Sequence, residues 1–248
     1  MSSQTQSEFP MGTGFFITGT DTGVGKTLVA CGLAALFRDS GYKVGVMKPA
    51  ETGCKEKDGR IFPEDADHLK KASGCEAPIE KICPYQLCEP LAPSVAAERE
   101  AIRIDVGHVI DLYNEISAAH DITLVEGAGG LLVPLLPSYT YADLTRVLKL
   151  PLLVVAANRL GIINHLLLTL EHASCRDLRV LGYILNQLET QPSLAAATNR
   201  EALSTMTSIP CLGEIPYIDD WDARSPSLTV IFEENLDTGL LRRLLPRG

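Results

Sequence analysis

The segment "FFITGTDTGVGKT", residues 15–27, constrains the fold more than any other stretch of the chain. An apolar run leads into a glycine-rich loop, and apolar residues at helical spacing follow over "TLVACGLAALFRDSG", residues 27–41. This order of strand, loop with Gly-Lys-Thr and helix is typical of a phosphate-binding loop. The loop departs from the standard Gly-x-x-x-x-Gly-Lys-Ser/Thr pattern, because Thr20 occupies the first glycine position and Gly19 precedes it.

Short apolar runs alternate with helical patterns along the rest of the chain. Strands are predicted over 15–20, 42–49, 121–130, 150–158, 179–187 and 209–216, and helices over 27–41, 105–119, 140–149, 162–175 and 193–207. This alternation predicts an α/β fold like that of P-loop NTPases, with a mostly parallel sheet and helices on both faces. No linker or composition break interrupts it, so we predict a single P-loop α/β domain over 1–248.

Two parts of the chain lack this regularity. Residues 1–13 are polar and are predicted to be a flexible tail before the first strand. Residues 52–100 are rich in Pro, Glu and Lys, and we expect loops and short helices there, over the active edge of the sheet.

The net charge and the cysteine content limit which binding partners and which cellular compartment are expected. The net charge is −9, whereas a nucleic-acid binder or a protein of anionic membrane surfaces needs a basic face, so we expect neither partner. The sequence has no run of 18 apolar residues and no signal-peptide core, which predicts no membrane span. Its seven cysteines are an odd number without a C-x-x-C pair, which favours free thiols in the cytoplasm.

The glycine loop predicts a site for a nucleotide triphosphate and its metal ion. In a parallel sheet ligands bind at the carboxyl ends of the strands, where backbone N–H groups of the loop face an anion. Lys26 is expected on the phosphates and the Thr27 hydroxyl on Mg²⁺. Glu126 ends the strand in "ITLVEGAGG" and supplies a carboxylate for the same metal, the alternative being a solvated acid at a strand end.

Two further polar residues end predicted strands. Lys48, in "VMKPAETG", is a second cation for the γ-phosphate or for an anionic acceptor, although its position suits a surface lysine equally well. Asn186, in "GYILNQ", offers an amide for the edge of adenine. The sequence has no recognisable motif for a protein nucleophile, so we expect direct transfer of phosphate to a bound acceptor.

Several segments, in this order along the chain, resemble the dethiobiotin synthetase family. They are "GTDTGVGKT", "KPAETG", "EPLAPSVAA", "VEGAGGLLVPL", "LGIINHLLLT" and "LGEIPY", and the resemblance runs from about Phe15 to about Ile218. The loop with its five-residue gap belongs to that family's pattern. The resemblance implies ATP and Mg²⁺ as cofactors and 7,8-diaminononanoate and CO2 as substrates. A carbamate on one amine attacks the γ-phosphate, and the other amine closes the ring of dethiobiotin with release of phosphate.

The resemblance also implies roles for individual residues. Catalysis is assigned to Thr22, Lys26 and Lys48; nucleotide binding to Gly23, Val24, Gly25, Lys26, Thr27, Asn186 and Pro216; substrate binding to Thr52, Gly161 and Asn164; and the metal to Thr27, Asp65 and Glu126. The residues alone do not choose among Glu64, Asp65 and Asp67, and the family's Pro-Tyr pair, placed on "CPY", selects Asp65. Gly23 stands where some members carry an acid, and Thr52 replaces a serine-bearing turn.

The resemblance further implies a homodimer. The segment "LGIINH", residues 160–165, begins a helix at the dimer interface, and its N-terminus binds the substrate carboxylate in the other subunit's site.

Two other functions remain open from the sequence. An amidotransferase-type synthetase needs a glutaminase domain, for which the chain has no room, and a P-loop ATPase switch often carries an early loop lysine, which Gly19-Thr20-Asp21 lacks.

Overall fold

A computed structural model of the protein describes residues 13–57 and 59–244. The strands of these ranges are β1 (Thr13–Gly19), β2 (Val44–Met47), β3 (Ala50–Thr52), β4 (Lys55–Lys57), β5 (Arg60–Phe62), β6 (Tyr85–Leu87), β7 (Ile122–Gly130), β8 (Pro134–Leu136), β9 (Tyr139–Thr140), β10 (Leu152–Ala157), β11 (Val180–Asn186) and β12 (Cys211–Ile215). The helices are α1 (Lys26–Asp39), α2 (Glu64–Ser73), α3 (Ile79–Ile82), α4 (Pro93–Arg99), α5 (Val106–Ala118), α6 (Tyr141–Leu148), α7 (Ile162–Cys175), α8 (Leu194–Met206), α9 (Pro226–Asn235) and α10 (Thr238–Leu244).

Six strands form one parallel sheet, as predicted. Their order is β12-β11-β10-β1-β7-β2, so β1 lies in the middle between β10 and β7. Phe16 of β1 is in register with Leu152 on one side and with Val125 on the other. All six strands are mostly buried and apolar, as strands covered on both faces must be. β7 separates β1 from β2, which brings the end of β7 directly beside the glycine loop.

Successive residues of β1 serve the two faces of the sheet. Phe15 and Ile17 pack in an apolar cluster with α1, α2 and α9, whereas Phe16 packs in a second cluster with α5 and α6. This division follows from the alternation of side chains along a strand. Helices therefore cover both faces, which confirms the predicted fold class.

The segment 52–100 and the ends of the described ranges agree only in part with the sequence predictions. Residues 52–100 contain short helices, as expected, of which α2 is the longest, and they also contain the short strands β4, β5 and β6, which were not predicted. The predicted tail 1–13 is wrong at its last residue, because Thr13 begins β1 and is in register with Ile122; residues 1–12 lie outside the described ranges. Near the C-terminus, α9 packs against α1, and Thr229 donates a hydrogen bond to Asp39 at 2.6 Å. No helix in the described ranges is long and apolar enough to cross a membrane.

Candidate active site

The glycine loop lies at the carboxyl end of β1 and leads directly into α1. Gly25 is the N-terminal cap of α1 and has a φ of 88°, a left-handed conformation that glycine adopts without strain. A Cβ at this position would lie 2.1 Å from Nδ2 of Asn186, so a side chain there is excluded on both grounds. Asn186 Nδ2 donates to the carbonyl of Val24 at 3.0 Å, which ties the end of β11 to the loop.

Gly19 explains the unusual spacing of the loop. A Cβ on Gly19 would come within 2.8 Å of the Asp21 carbonyl and 3.0 Å of the Lys26 ammonium. The glycine therefore leaves room for Lys26 to fold back over the loop, where its Nζ donates to the Asp21 carbonyl at 3.1 Å. Burial, together with the nearby Lys48 ammonium, lowers the pKa of Lys26 to about 8. Such a poorly solvated cation has much to gain from a bound phosphate.

Lys48 sits between two carboxylates. Its Nζ lies 2.7 Å from Oδ2 of Asp65 and 2.6 Å from Oε1 of Glu126, and its side chain is only 3% exposed. Lys48 directly follows β2. Because its side chain is buried, the alternative of a surface lysine is excluded. Burial alone disfavours its charge, but the two carboxylates outweigh burial and raise the pKa of Lys48 well above its ordinary value.

The acids around Lys48 come from separate elements. Glu126 lies on β7, in register with Ile17 of β1, and is 1% exposed, which excludes the alternative of a solvated acid. Asp65 lies in the first turn of α2 and is partly exposed. Burial acts against its ionisation, but the Lys48 ammonium prevails and holds the pKa of Asp65 below its usual range. These two acids and Lys48 form a compact charged cluster beside Lys26.

The residues at this cluster fit a magnesium ion. The Thr27 hydroxyl donates to Oε1 of Glu126 at 2.9 Å, whereas Oε2 of Glu126 is buried and has no hydrogen-bond partner within the described ranges. Two carboxylates and a hydroxyl are the hard oxygen ligands that Mg²⁺ prefers, and this ion commonly completes its shell with phosphates and water. No group of three or more His, Cys, Asp and Glu side chains that would hold a metal occurs among residues 13–57 and 59–244.

A cavity of about 620 Å³ opens over the loop and the charged cluster. Among the predicted site residues it is lined by Thr22, Gly23, Gly25, Lys26, Thr27, Lys48, Thr52, Asp65 and Glu126. The structure thus brings together residues from four separate motifs. Of the three candidate acids, Asp65 lines the cavity, Glu64 is exposed, and Asp67 pairs with Lys71 on the same helix.

The other predicted residues lie elsewhere. Asn186 is in register with Ile215, the last residue of the neighbouring strand β12. Pro216 directly follows β12 and is exposed. Gly161 caps α7 and Asn164 lies exposed in its first turn, and neither lines the cavity. Within one chain the structure therefore does not join these two residues to the charged cluster.

Sequence reasoning missed Glu51. This residue of β3 lines the cavity and is 5% exposed, and its carboxylate accepts hydrogen bonds from the backbone N–H groups of Asp65 and Ala66, both at 3.0 Å. Burial, reinforced by the nearby Asp65 carboxylate, raises the pKa of Glu51 to about 7. Its place in "KPAETG" was the only signal, and the contact with a residue 14 positions away could not be read from it.

The seven cysteines are all unpaired, as predicted. Sequence reasoning found no pairing of cysteine with histidine, yet Sγ of Cys75 lies 3.6 Å from Nε2 of His120. Neither of these residues lines the cavity over the loop. The pair therefore adds no nucleophile to the candidate active site.

Comparison with solved structures places the fold among P-loop ATPases. A ParA family ATPase from Chlorobium tepidum superposes with a TM-score of 0.52 at 16% identity, covering 94% of this chain and 96% of the other. A MinC:MinD cell division complex from Aquifex aeolicus gives a TM-score of 0.50 at 15% identity, covering 93% of this chain and 86% of the other. At such low identity these likenesses concern the fold alone.

Sequence comparison is more specific. A protein-family profile described as an AAA domain matches residues 13–225. The ATP-dependent dethiobiotin synthetase BioD of Bacillus velezensis is 38% identical over 235 residues, covering 94% of this chain and 98% of the relative. The protein of the same name from Anaeromyxobacter sp. strain Fw109-5 is 44% identical over 210 residues, covering 81% and 92%. A chain with these motifs, this fold and these relatives belongs to the dethiobiotin synthetase family, whose ATP-dependent reaction forms dethiobiotin in biotin biosynthesis.

Proposed function

We propose that this protein closes the ureido ring of dethiobiotin through a carbamate whose oxygen attacks the γ-phosphate of ATP. The observation that carries the proposal is the cavity that joins the phosphate-binding loop to Lys48 and Thr52, with no cysteine, serine or histidine among the lining residues that the structure describes. A carbamate is already an anion and needs no strong base to attack phosphorus. Lys26 and Lys48 stabilise the charge that moves onto the phosphoryl group and its acceptor.

We propose the following course for the reaction. One amine of 7,8-diaminononanoate takes up CO2 and gives the carbamate, which Lys48 and Thr52 orient beside the γ-phosphate. Attack by a carbamate oxygen breaks the bond between the γ-phosphorus and the bridging oxygen, so that ADP leaves and a carbamic-phosphoric anhydride forms. The second amine then attacks the carbamate carbon, loses a proton and expels inorganic phosphate.

Thr27, Asp65 and Glu126 would hold Mg²⁺ on the phosphates. The support is the unpartnered oxygen of Glu126 and the hydrogen bond of Thr27 to the same carboxylate. The ion would neutralise phosphate charge during transfer. Meanwhile the Gly23–Thr27 backbone binds the phosphates, and Asn186 and Pro216 flank the adenine. The Asn186 Oδ1 atom is buried and without a hydrogen-bond partner within the described ranges, which leaves an acceptor for the adenine amino group.

We further propose a homodimer with shared sites. Leu132, Leu160 and Leu168 are 55%, 85% and 57% exposed, and a subunit contact would bury them. Leu160 directly precedes Gly161, the N-terminal cap of α7, which makes no side-chain hydrogen bond to the helix, and Asn164 lies in the first turn. The backbone N–H groups of a first helical turn have no partners within the helix. Such a terminus binds a carboxylate, and here it would receive that of the substrate held by the partner.

Isotope transfer tests the chemistry. The enzyme is mixed with ATP, the diamine and freshly dissolved C18O2 in unlabelled water. The reaction is stopped before the dissolved CO2 exchanges its label with water, and the inorganic phosphate is analysed by mass spectrometry. Attack by the carbamate places one labelled oxygen in each phosphate. Phosphate without label, formed while dethiobiotin accumulates, would show that water or another group attacks phosphorus.

A further inference from the structure

Helix α2 begins without a cap of its own. Its N-terminal cap residue is Pro63, which makes no side-chain hydrogen bond to the helix. The backbone N–H groups of a first helical turn have no partners within the helix and need an acceptor from elsewhere. The acceptor here is Glu51, which lies on β3 and is distant in sequence.

The contact is bidentate. Oε1 of Glu51 accepts from the N–H of Asp65 and Oε2 accepts from the N–H of Ala66, each at 3.0 Å. These are the second and third residues of α2, the groups that a capping side chain ordinarily bonds. The carboxylate also lies where the helix dipole favours a negative charge. Because Glu51 is 5% exposed, little water competes for the two bonds.

The bonded residue is itself part of the charged cluster. Glu51 holds the main chain of Asp65, and the side chain of Asp65 reaches Lys48 at 2.7 Å. The next residue after Glu51 is Thr52, which lines the same cavity. One short strand therefore connects the acceptor side of the cavity with the acid that faces the phosphates.

We propose that Glu51 is a positioning residue that sets the place of Asp65 and thereby the affinity of the site for Mg²⁺ with nucleotide. The inference rests on the proposed role of Asp65 as a metal ligand. Glu51 acts through the backbone and does not touch the metal. Replacing groups that orient metal ligands typically costs about 10–100-fold in metal affinity.

The test is an equilibrium measurement on the full-length protein. The dissociation constant of ADP is measured by calorimetry with and without Mg²⁺. The ratio used below is the constant without Mg²⁺ divided by the constant with Mg²⁺, and it reports how strongly the ion and the nucleotide promote each other's binding. The variants are Glu51→Ala, Asp65→Asn and the double variant. Glu64→Gln is the matched control, because it removes a charge from the first turn of the same helix at an exposed position outside the cavity.

We expect Glu51→Ala to lower this ratio about tenfold. In the Asp65→Asn background, Glu51→Ala should change the ratio no further, because the residue it positions no longer carries the charge. Glu64→Gln should keep the wild-type ratio. Glu51→Gln keeps the volume and one acceptor oxygen, and it replaces the alanine variant in the cycle if melting curves show that the latter does not fold.

The results distinguish the proposed role of Asp65 as a metal ligand from the proposed role of Glu51 as its positioning residue. A wild-type ratio in Asp65→Asn would refute Asp65 as a metal ligand, and thus part of the proposed function. If Asp65→Asn is impaired but Glu51→Ala keeps the wild-type ratio, or lowers it equally in both backgrounds, Glu51 does not act through Asp65. A lowered ratio in Glu64→Gln would show that any charge loss at this helix end has the same effect, and would also overturn the inference.

Discussion

The Nζ atom of Lys48 lies 2.6 Å from Oε1 of Glu126, and both side chains are almost completely buried. An ion pair in such a place is costly to desolvate and is weak support for stability alone. In the proposed reaction it keeps a cation beside the point where phosphate and acceptor meet. Under that proposal, catalysis explains the pair better than folding does.

Replacing Lys48 by methionine should reduce kcat more than nucleotide affinity. Charge moves towards this position in the transition state, and loss of one such stabilising group costs on the order of 10²–10³ in kcat. The dissociation constant of ATP should change by less than about tenfold, because Lys26 and the loop backbone remain. Steady-state kinetics and calorimetry check the two quantities, and melting curves control for Glu126 left without its cation. An unchanged kcat would exclude Lys48 from catalysis.

Replacing Glu126 by glutamine should raise the Mg²⁺ concentration needed for half-maximal activity by about tenfold or more, since it removes a charged ligand. The measurement is a Mg²⁺ titration at saturating ATP and diamine. High Mg²⁺ should restore part of the activity, which distinguishes weaker metal binding from a misfolded site. A wild-type titration curve would show that Glu126 serves Lys48 and Thr27 but not the metal.

Replacing Gly25 by alanine should weaken nucleotide binding far more than the same change at Gly23. Both glycines have positive φ, at 88° and 74°, so both variants carry the strain of about 1–2 kcal/mol that a left-handed alanine costs. Only at Gly25 would the new Cβ collide with Asn186, whereas nothing lies within 4 Å of a Cβ on Gly23. The comparison of ADP affinities by calorimetry checks this. Equal losses would mean that backbone strain alone governs the loop.

The sequence allowed the sheet and half of the site to be predicted for one physical reason. Parallel strands end at one edge, so Lys26, after the loop that follows β1, and Lys48, directly after β2, had to meet there. Glu126 was expected to end its strand, but it lies within β7, which continues to Gly130 beside the loop. Periodicity did not show that β7 lies between β1 and β2, which determines how closely Glu126 approaches the loop.

The contacts made by the irregular segment 52–100 could not be predicted from the sequence. The contact of Glu51 with Asp65 joins two residues across a stretch without hydrophobic periodicity, and only the resemblance to a family selected Asp65 among its neighbours. Contacts of this kind depend on the path of a loop in space, which composition and spacing do not encode.

In the proposed dimer, Lys26 of one chain and Asn164 of the other serve the same substrate. Lys26→Ala and Asn164→Ala are each first shown to be inactive and folded, and are then mixed under conditions of subunit exchange. Random mixing makes half of the dimers mixed, and each mixed dimer has one site with both lesions and one with neither, so about a quarter of all sites are intact. The mixture should recover about that fraction of wild-type activity.

A substrate site within one chain predicts a different result of the mixing experiment. If each site used residues of only one chain, every site would carry a fatal lesion, and mixing would restore nothing. The absence of recovery, with exchange confirmed by a fluorescent label on each variant, would therefore place the whole substrate site within one subunit. Should Asn164→Ala be active alone, Gly161→Leu takes its place. Gly161 is the N-terminal cap of α7 and has a φ of 93°, so a large side chain there would disturb the helix start that is proposed to bind the carboxylate.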